Sequence, residues 1–395
     1  MDRIQSRLAG WKGHMFNRAR RITLACSVIS SIPTYYIQNQ LFLKVVCNSI
    51  DKTIRNFIWG KGESGCGFNL INWKTIIKPR NFRGLGIRET RIANVFILSK
   101  LAWQLLCNGS KSWVQIFHHK YMWNSSLFYC SPPSRTTSNT WKAIYKAFIC
   151  LRDGFAFKLG KKYVSLWFDH WLNAGIVGSL VDYVHISDSN LKVNDLWVNG
   201  YWNFNHLMTN LPNDIRNLVT AVPIPSYRRS DDSIIWLSNI TRIYNPKSAY
   251  LWLLKSYVTL NSDRHWFWIW KLKIPEKVQL MIWQIWHDCL PTNSLHFKQH
   301  LTSSSTCYCC NKEEEDILHC LRDCVHVKNV WETLGFVYLG DFWSAEVKVW
   351  CQNFILSNAT TIFLSAIWWL WKCRNYIVHG EYLQGIPGWL TKSIF

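Results

Sequence analysis

A cluster of cysteine and histidine residues near the end of the sequence has the spacing of a metal site. Cys307-x2-Cys310 is followed by eight residues and then by His319-x4-Cys324. Two cysteines separated by two residues can place both sulfurs on one ion from a tight turn, and a histidine and a cysteine five positions apart can complete a tetrahedron. Three thiolates and one imidazole suit Zn²⁺, and four protein ligands leave no open position. The pattern therefore predicts a structural zinc ion.

Neighbouring residues leave alternatives to this ligand set. Cys309 and Cys320 lie beside the predicted ligands and could replace one of them. A chance group of free thiols is another interpretation of the same residues. The segment from Cys307 to Cys324 also carries five acidic residues against two basic ones, a charge of −3. A module that clamps phosphate is normally basic, so any nucleic acid is predicted to contact lysines around this segment.

Positive charge is concentrated in the first quarter of the chain. The 395 residues contain 45 Lys and Arg against 24 Asp and Glu, a formal charge of +21. Residues 1–100 hold 17 basic and 4 acidic residues, which is +13 of that excess. A polyanion is the simplest partner for such a balance, since each cation set against a phosphate releases counterions. A basic protein that is merely soluble is the alternative.

Eight basic residues are the candidate contacts to RNA or DNA. They are Arg18, Arg20, Arg21, Lys52, Arg55, Lys271, Lys273 and Lys277. A basic helix face is often plain solvated surface, and this is the alternative for each of them.

Hydrophobic residues make up 49% of the chain, which excludes a wholly disordered protein.

Hydrophobic periodicity predicts mainly helices around these residues. Apolar residues at three- and four-residue spacing predict helices over residues 14–60, interrupted at Pro33, and over Thr90–Leu106. The helical period returns after Asn245. The predicted helices there are Pro246–Leu254, Pro275–Leu290, Asn293–Leu301 with Thr292 as its cap, and Val325–Leu334.

The middle of the chain has a different pattern. Phe155–Leu159 and Tyr163–Phe168 alternate like strands, and the tryptophans of this region are predicted to be core residues. The sequence therefore predicts an α+β fold that is predominantly α-helical and multi-domain, with a small zinc-binding module.

Composition and periodicity divide the chain into four predicted segments. Residues 1–130 form a basic helical domain, and residues 140–240 form a Trp-rich mixed α/β linker domain. Residues 244–335 form the zinc-binding domain, and residues 336–395 are predicted to be a C-terminal tail, truncated at its end.

The motifs around the cysteine cluster resemble a known domain. Trp270-Lys-Leu-Lys-Ile-Pro-Glu-Lys-Val278, Trp283 and Leu290-Pro-Thr292 precede the cysteines, and Glu315 lies just before His319. This series is similar to the zinc-binding domain of plant LINE-type (non-LTR) retrotransposon reverse transcriptases, as in ribonuclease H-like retroelement proteins. In such polyproteins the domain lies downstream of the polymerase, often upstream of a ribonuclease H domain. The resemblance implies a non-catalytic part of the polyprotein that binds RNA or DNA.

The resemblance covers residues 3–335. It includes Leu8-Ala-Gly-Trp11, Phe57-Ile58-Trp59-Gly60, Gly84-Leu85-Gly86-Ile87-Arg88, Trp167-Phe-Asp169-His-Trp171 and Tyr244-Asn-Pro-Lys-Ser-Ala-Tyr250. The chain departs from the family pattern in two places. Lys61-Gly62 and Arg83 stand where the resemblance predicts double glycines.

The sequence predicts that the chain is not an enzyme. A polymerase needs adjacent aspartates on a palm hairpin to hold two metal ions. The one adjacent pair, Asp231-Asp232, follows a Ser- and Arg-rich stretch and lacks an apolar hairpin, and no ribonuclease H carboxylate set is found. The alternative function is a structural or protein-interaction module, or a decayed retroelement product, without nucleic-acid binding. An active reverse transcriptase or nuclease is a third hypothesis.

The location predicted from the sequence is intracellular, in the nucleus or cytoplasm. The N-terminus lacks the apolar core of a signal peptide, and the most apolar stretch, Thr361–Trp371, is too short to span a bilayer. Most cysteines outside the cluster are scattered singly, as buried thiols in a reducing compartment would be. No membrane and no small-molecule substrate are predicted, and the pattern says nothing of protein partners.

Overall fold

The computed structural model describes residues 2–10, 16–60, 68–107, 109–123, 126–161, 163–198, 200–222, 231–260 and 266–379. Helices account for 57% of the structure and strands for 5%, so the predicted α+β, mostly helical class is confirmed. Trp11, the Lys61-Gly62 turn and residues 380–395 lie outside the described residues.

The elements follow one another as short helices with two small antiparallel strand pairs. The helices are α1 (Asp2–Gly10), α2 (Arg18–Leu24), α3 (Thr34–Ile37), α4 (Lys44–Trp59), α5 (Trp73–Ile76), α6 (Thr90–Cys107), α7 (Ser112–Phe117), α8 (Asn139–Leu151), α9 (Asn213–Thr220), α10 (Pro246–Tyr257), α11 (Phe267–Lys271), α12 (Glu276–Trp286), α13 (Asn293–Lys298), α14 (Val325–Thr333), α15 (Val347–Ile355) and α16 (Thr360–His379). The strands are β1 (Phe155–Lys158), β2 (Trp197–Val198), β3 (Tyr201–Trp202) and β4 (Ser233–Trp236).

The chain divides into two compact units, and each crosses the predicted domain limits. The first unit contains residues 28–53 and 88–260, and the second contains residues 2–27, 54–87 and everything from 261 onward. The predicted four-segment division stays a prediction.

The first unit is built on α6, which packs against α8 and α10. The predicted Thr90–Leu106 helix is confirmed, and it ends one residue later than predicted. Strand β1 pairs antiparallel with β4, so that Phe155 lies opposite Trp236, and both rings are fully buried. The predicted core role of the tryptophans is confirmed for Trp236, Trp167 and Trp171, which are buried.

The predicted strand over Tyr163–Phe168 is wrong. Within it the structure has an isolated bridge from Ser165 to Lys192 and otherwise turns. The chain curls here because the Trp167 indole donates to the Asp188 carbonyl (2.9 Å) and the Trp171 indole to a carbonyl five residues earlier. Val164, Leu166 and Trp167 are therefore buried within one loop instead of on one face of a sheet, and Tyr163 and Phe168 stay exposed.

The second unit is organised by α12, which packs against α2, α11, α15 and α16. Ile282, Trp283 and Ile285 on this helix are fully buried. The predicted helix Pro275–Leu290 is shorter in the structure, because Asp288 adopts a left-handed conformation (φ +51°) that ends it. Thr292 caps α13 as predicted, accepting a hydrogen bond from the backbone N of Leu295 (3.4 Å).

A sharp turn at Arg83 explains why glycines are expected there. Arg83 has φ +70°, a left-handed conformation that favours glycine. Its carbonyl accepts hydrogen bonds from the Trp283 indole (3.0 Å) and from His287 Nε2 (2.8 Å) on α12. At Gly84 a Cβ atom would lie 1.8 Å from the Lys78 carbonyl oxygen, so the backbone approach itself requires glycine.

Residues 336–379 of the segment predicted as a tail are folded. Helices α15 and α16 pack on each other, and α16 also packs on the turn His319–Asp323 that precedes α14. Trp331 of α14 contacts Phe342, Trp350 and Phe363 at ring-centroid distances of 5.4, 5.9 and 5.5 Å. Across the described residues no helix combines the length and the hydropathy needed to cross a membrane.

Candidate metal centre

The first half of the cysteine cluster is a tight backbone turn. The backbone N of Cys307 donates to the Glu313 carbonyl (2.8 Å), and the backbone N of Asn311 donates back to the Cys307 carbonyl (2.9 Å). Asn311 takes the left-handed conformation that closes the turn (φ +54°). The backbone N of Cys309 donates to Cys307 Sγ (3.4 Å), so the turn also directs a dipole at the sulfur. Cys307 and Cys310 are thereby brought together, as their spacing predicts.

The second half is a single wide helical turn over His319–Asp323. The backbone N of Cys324 donates to the His319 carbonyl (2.9 Å), a five-residue repeat typical of a π-turn. Residues five apart then lie on the same side of the turn, which explains the His-x4-Cys spacing. Asp316 Oδ1 accepts from the backbone N of His319 (2.7 Å) and fixes where the turn begins.

The two turns bring four ligand atoms together. The sulfurs of Cys307, Cys310 and Cys324 and a ring nitrogen of His319 all lie within 4.8 Å of one another. Cys310 Sγ is 3.3 Å from His319 Nε2. A tetrahedron with Zn–S bonds of about 2.3 Å has edges of about 3.8 Å, so these separations fit a zinc ion without a large rearrangement.

The histidine is oriented by a carboxylate. His319 Nδ1 lies 3.0 Å from Glu313 Oε2, which turns Nε2 toward the sulfurs. The Cys307 thiolate raises the pKa of His319 to about 9, because it accepts a hydrogen bond from the ring. Hydrogen bonds from the Cys309 and Cys324 thiols lower the pKa of Cys307 and raise their own. The close approach of these sulfurs favours one thiolate, at Cys307, in the absence of a metal ion.

The two alternative cysteines lie outside the converging group. Among the described residues the group of four does not include Cys309 or Cys320. Both line a small cavity of about 130 Å³ beside the cluster, together with Cys373 of α16. Burial raises the pKa of Cys320 well above its ordinary value. The geometry favours the predicted ligand set, whose identity stays a prediction.

A buried ion pair holds the cluster against α16, and sequence reasoning missed half of it. Glu315 lies in the motif that resembles the known domain, and both of its oxygens are held by Arg374. Arg374 belongs to the segment predicted as a tail. A fully buried glutamate requires a partner, but the motif that contains Glu315 does not indicate where in the sequence that partner lies.

Two of the eight candidate nucleic-acid contacts have side chains that contact other residues of the protein. Arg18 is half-buried with its guanidinium 5.9 Å from the ring centroid of Trp59, and Arg21 Nε donates to the Phe16 carbonyl (3.0 Å). Burial lowers the pKa of both arginines. Arg20 on the same helix is exposed.

The other candidates include four exposed lysines. Lys52 is exposed and belongs to the first unit. Arg55 is half-buried beside Trp73. Lys271, Lys273 and Lys277 are exposed. Seven of the eight candidates therefore lie in the second unit, although they come from sequence regions more than 200 residues apart.

Comparison with known proteins gives two matches. Residues 244–331 match the family described as zinc-binding in reverse transcriptase. The chain is also 26% identical over 401 residues to a "putative ribonuclease H protein" of Arabidopsis thaliana, a match that covers 96% of this chain. The chain spans 64% of the length of that protein. Both matches agree with the resemblance that the motifs carry.

Proposed function

We propose a function for this chain from its relationship to the reverse transcriptases of retroelements, which the two matches support. The chain is a non-catalytic part of such a polyprotein that binds RNA or DNA, and a structural Zn²⁺ ion holds its zinc-binding module. The observation that carries this proposal is the converging group of Cys307, Cys310, His319 and Cys324 within the unit that also contains most of the candidate basic contacts.

The proposed ion has a structural role. A bound Zn²⁺ would cross-link the turn at Cys307 and Cys310 to the turn at His319 and Cys324 and so supply folding free energy, on the order of 10 kcal/mol in isolated modules. Three of the four ligands are buried and Cys310 is half-buried. With four protein ligands no position remains for a substrate.

The side chains of the two adjacent aspartates bind nearby groups of the protein, which supports a non-catalytic role. Asp232 accepts from the backbone N of Gly160 (2.6 Å) and of Tyr163 (2.7 Å), and Asp231 pairs with Lys161 (2.5 Å). They directly precede β4, a strand that the sequence analysis missed. Carboxylates committed to backbone amides are poorly placed to bind two catalytic metal ions.

An intracellular location is part of the proposal. Outside the cluster, Cys47, Cys289 and Cys351 are buried, as cysteine side chains of a reducing compartment often are.

The test is a purification assayed for metal content and for binding. We expect one zinc per chain and saturable binding to RNA or DNA. The logarithm of the binding constant should fall with the logarithm of salt concentration by about 0.7 for each neutralised phosphate on single strands. A slope near zero would overturn the nucleic-acid proposal. Metal-dependent primer extension that is lost in Asp231→Asn would overturn the non-catalytic proposal.

A structural or protein-interaction role is the second candidate, and the surface of the zinc turn favours it. Glu313, Glu314 and Asp316 are exposed there, which is unfavourable for phosphate. The intramolecular contacts of Arg18 and Arg21 also reduce the charge available to a ligand. This candidate predicts bound zinc without saturable nucleic-acid binding at physiological salt.

A further inference from the structure

A basic groove on the second unit is lined by α2, α12 and α16 and has a volume of about 430 Å³. Arg18 from α2, Lys277 from α12 and Lys372 from α16 contribute cationic side chains to its wall. In the described part of the chain, no aspartate, glutamate or predicted metal ligand lines it. A concave surface that carries positive charges and no negative ones concentrates a positive potential, so the groove attracts anions.

Two further basic residues line the groove without adding net positive charge to it. Arg374 lines the groove while its guanidinium is paired with the buried Glu315. His296 also lines it, and burial, followed by the positive charge of Arg374, lowers the pKa of this imidazole. The positive charge that the groove presents is therefore assigned to Arg18, Lys277 and Lys372.

Gln284 gives the groove an unused hydrogen-bond donor. It lines the groove from α12 and is 6% exposed. Its side-chain Nε2 is buried without a hydrogen-bond partner among the described residues. A buried amide that lacks a partner costs stability, and an oxygen of a bound ligand would satisfy it.

An indole ring lies beside these polar groups. Trp368 of α16 is half-buried in the groove wall, and Lys277 Nζ lies 4.9 Å from its ring centroid. Cations, an aromatic ring and an amide donor are the groups that bind the phosphate, the base face and the base edge of a nucleotide. We propose that this groove binds a segment of single-stranded RNA or DNA, with phosphates on the cationic side chains and one base against Trp368. The inference rests on the proposed function and names the surface that performs it.

The groove suits a single strand better than a duplex. Bases in a duplex are stacked and paired, so their faces cannot reach an aromatic side chain. The volume of about 430 Å³ also lies in the range of sites that hold small ligands, which fits a flipped or unpaired nucleotide.

The test compares two charge-matched variants of the zinc-loaded full chain. Lys277→Gln/Lys372→Gln removes two cations from the groove. Arg7→Gln/Lys74→Gln removes two exposed cations from the same unit outside it. Binding of a fluorescein-labelled twelve-nucleotide RNA or DNA strand is followed by anisotropy over a salt series. We expect the groove variant to lose about 1.4 from the magnitude of the log–log slope, since each phosphate contributes about 0.7. The control variant should keep the slope of the unmodified chain.

Substitutions at two further positions separate binding from folding. Gln284→Met preserves the volume of the side chain and removes the donor that has no partner among the described residues. We expect it to fold at least as stably as the unmodified chain and to bind the strand several-fold more weakly. Trp368→Ala should weaken binding by about tenfold, which is a typical loss for one stacked base, whereas Trp368→Phe should retain most of the affinity.

The outcomes distinguish the inference from the proposed function. If the unmodified chain shows no saturable binding, the proposed function and the inference both fail. If it binds, and the groove variants bind like the control, the inference is overturned while the proposed function stands. Displacement of the strand by inorganic phosphate, together with an unchanged affinity of Trp368→Ala, would identify a simple anion site and overturn the base contact.

Discussion

Arg374 of α16 binds both carboxylate oxygens of Glu315, which lies in the turn between Cys310 and His319. Its Nε lies 3.0 Å from Oε1 and its Nη2 lies 2.5 Å from Oε2. Glu315 is 0% exposed and Arg374 is 3% exposed. The backbone N of Asn293, at the start of α13, also donates to Glu315 Oε2 (2.6 Å). One carboxylate therefore connects the turn, α13 and α16.

Replacing Arg374 by methionine should be strongly destabilising. Arg374→Met leaves the Glu315 carboxylate buried without its cation, and breaking a buried pair in this way costs about 3–5 kcal/mol. Urea unfolding measures the loss. The double variant Glu315→Met/Arg374→Met should recover part of it, because no buried charge remains. Arg20→Met, at an exposed position on α2, should stay within about 0.5 kcal/mol of the unmodified chain.

Substitution of the predicted zinc ligands should release the metal. His319→Ala and Cys324→Ala each remove one donor from the converging group, and we expect zinc content to fall well below one per chain. Cys309→Ala and Cys320→Ala are the matched controls and should retain one zinc. Metal analysis after gel filtration measures both. Retained zinc in the ligand variants, with loss in a control, would assign Cys309 or Cys320 as a ligand instead.

Removal of the metal should lower the melting temperature of the chain. The proposed ion joins two turns that each have their own backbone hydrogen bonds. Because the folded chain binds the ion and the unfolded chain does not, the free energy of binding adds to the free energy of unfolding. Thermal unfolding with and without a strong chelator, at constant pH, checks this. An identical melting temperature in both conditions would contradict a structural ion.

The turn before α6 should not tolerate a side chain at Gly84. In Gly84→Ala the new Cβ would lie 1.8 Å from the Lys78 carbonyl oxygen, so the backbone must move. We expect a loss of about 1–3 kcal/mol, the usual cost of overpacking. Gly340→Ala is the control, because nothing lies within 4 Å of the corresponding Cβ. Equal unfolding midpoints for the two variants would show that the turn adapts.

Stability should fall as the pH is lowered through the range set by His287. Burial lowers the pKa of His287 to about 4, from an ordinary value of 6.5. Between these two pH values, His287 binds a proton in the unfolded chain but stays neutral in the folded chain. This contribution is fully present above pH 6.5 and is lost progressively between pH 6.5 and about 4.

His287→Gln isolates this effect, since glutamine keeps an N–H for the Arg83 carbonyl but does not titrate in this range. Urea unfolding at several pH values should give a weaker pH dependence for the variant than for the unmodified chain. Parallel curves would assign the pH dependence to other groups, the metal ligands included.

Local spacing made the metal cluster and most helices predictable. The Cys-x2-Cys and His-x4-Cys intervals are closed by backbone hydrogen bonds within a few residues, at Cys307–Asn311 and His319–Cys324. Likewise, Thr292 caps α13 through a contact three residues away. Alternation was a weaker guide, because Val164, Leu166 and Trp167 are buried within a loop instead of on one face of a sheet.

The sequence by itself determined the chemistry of this protein, namely three thiols and an imidazole at metal-site spacing and a basic N-terminal quarter. Tertiary structure alone decided which distant groups support that chemistry. The partner of Glu315 lies 59 positions away, and the groove combines residues of α2, α12 and α16. The reason is physical: backbone turns are set by neighbouring residues, whereas a buried charge or amide acquires its partner only when remote helices pack together.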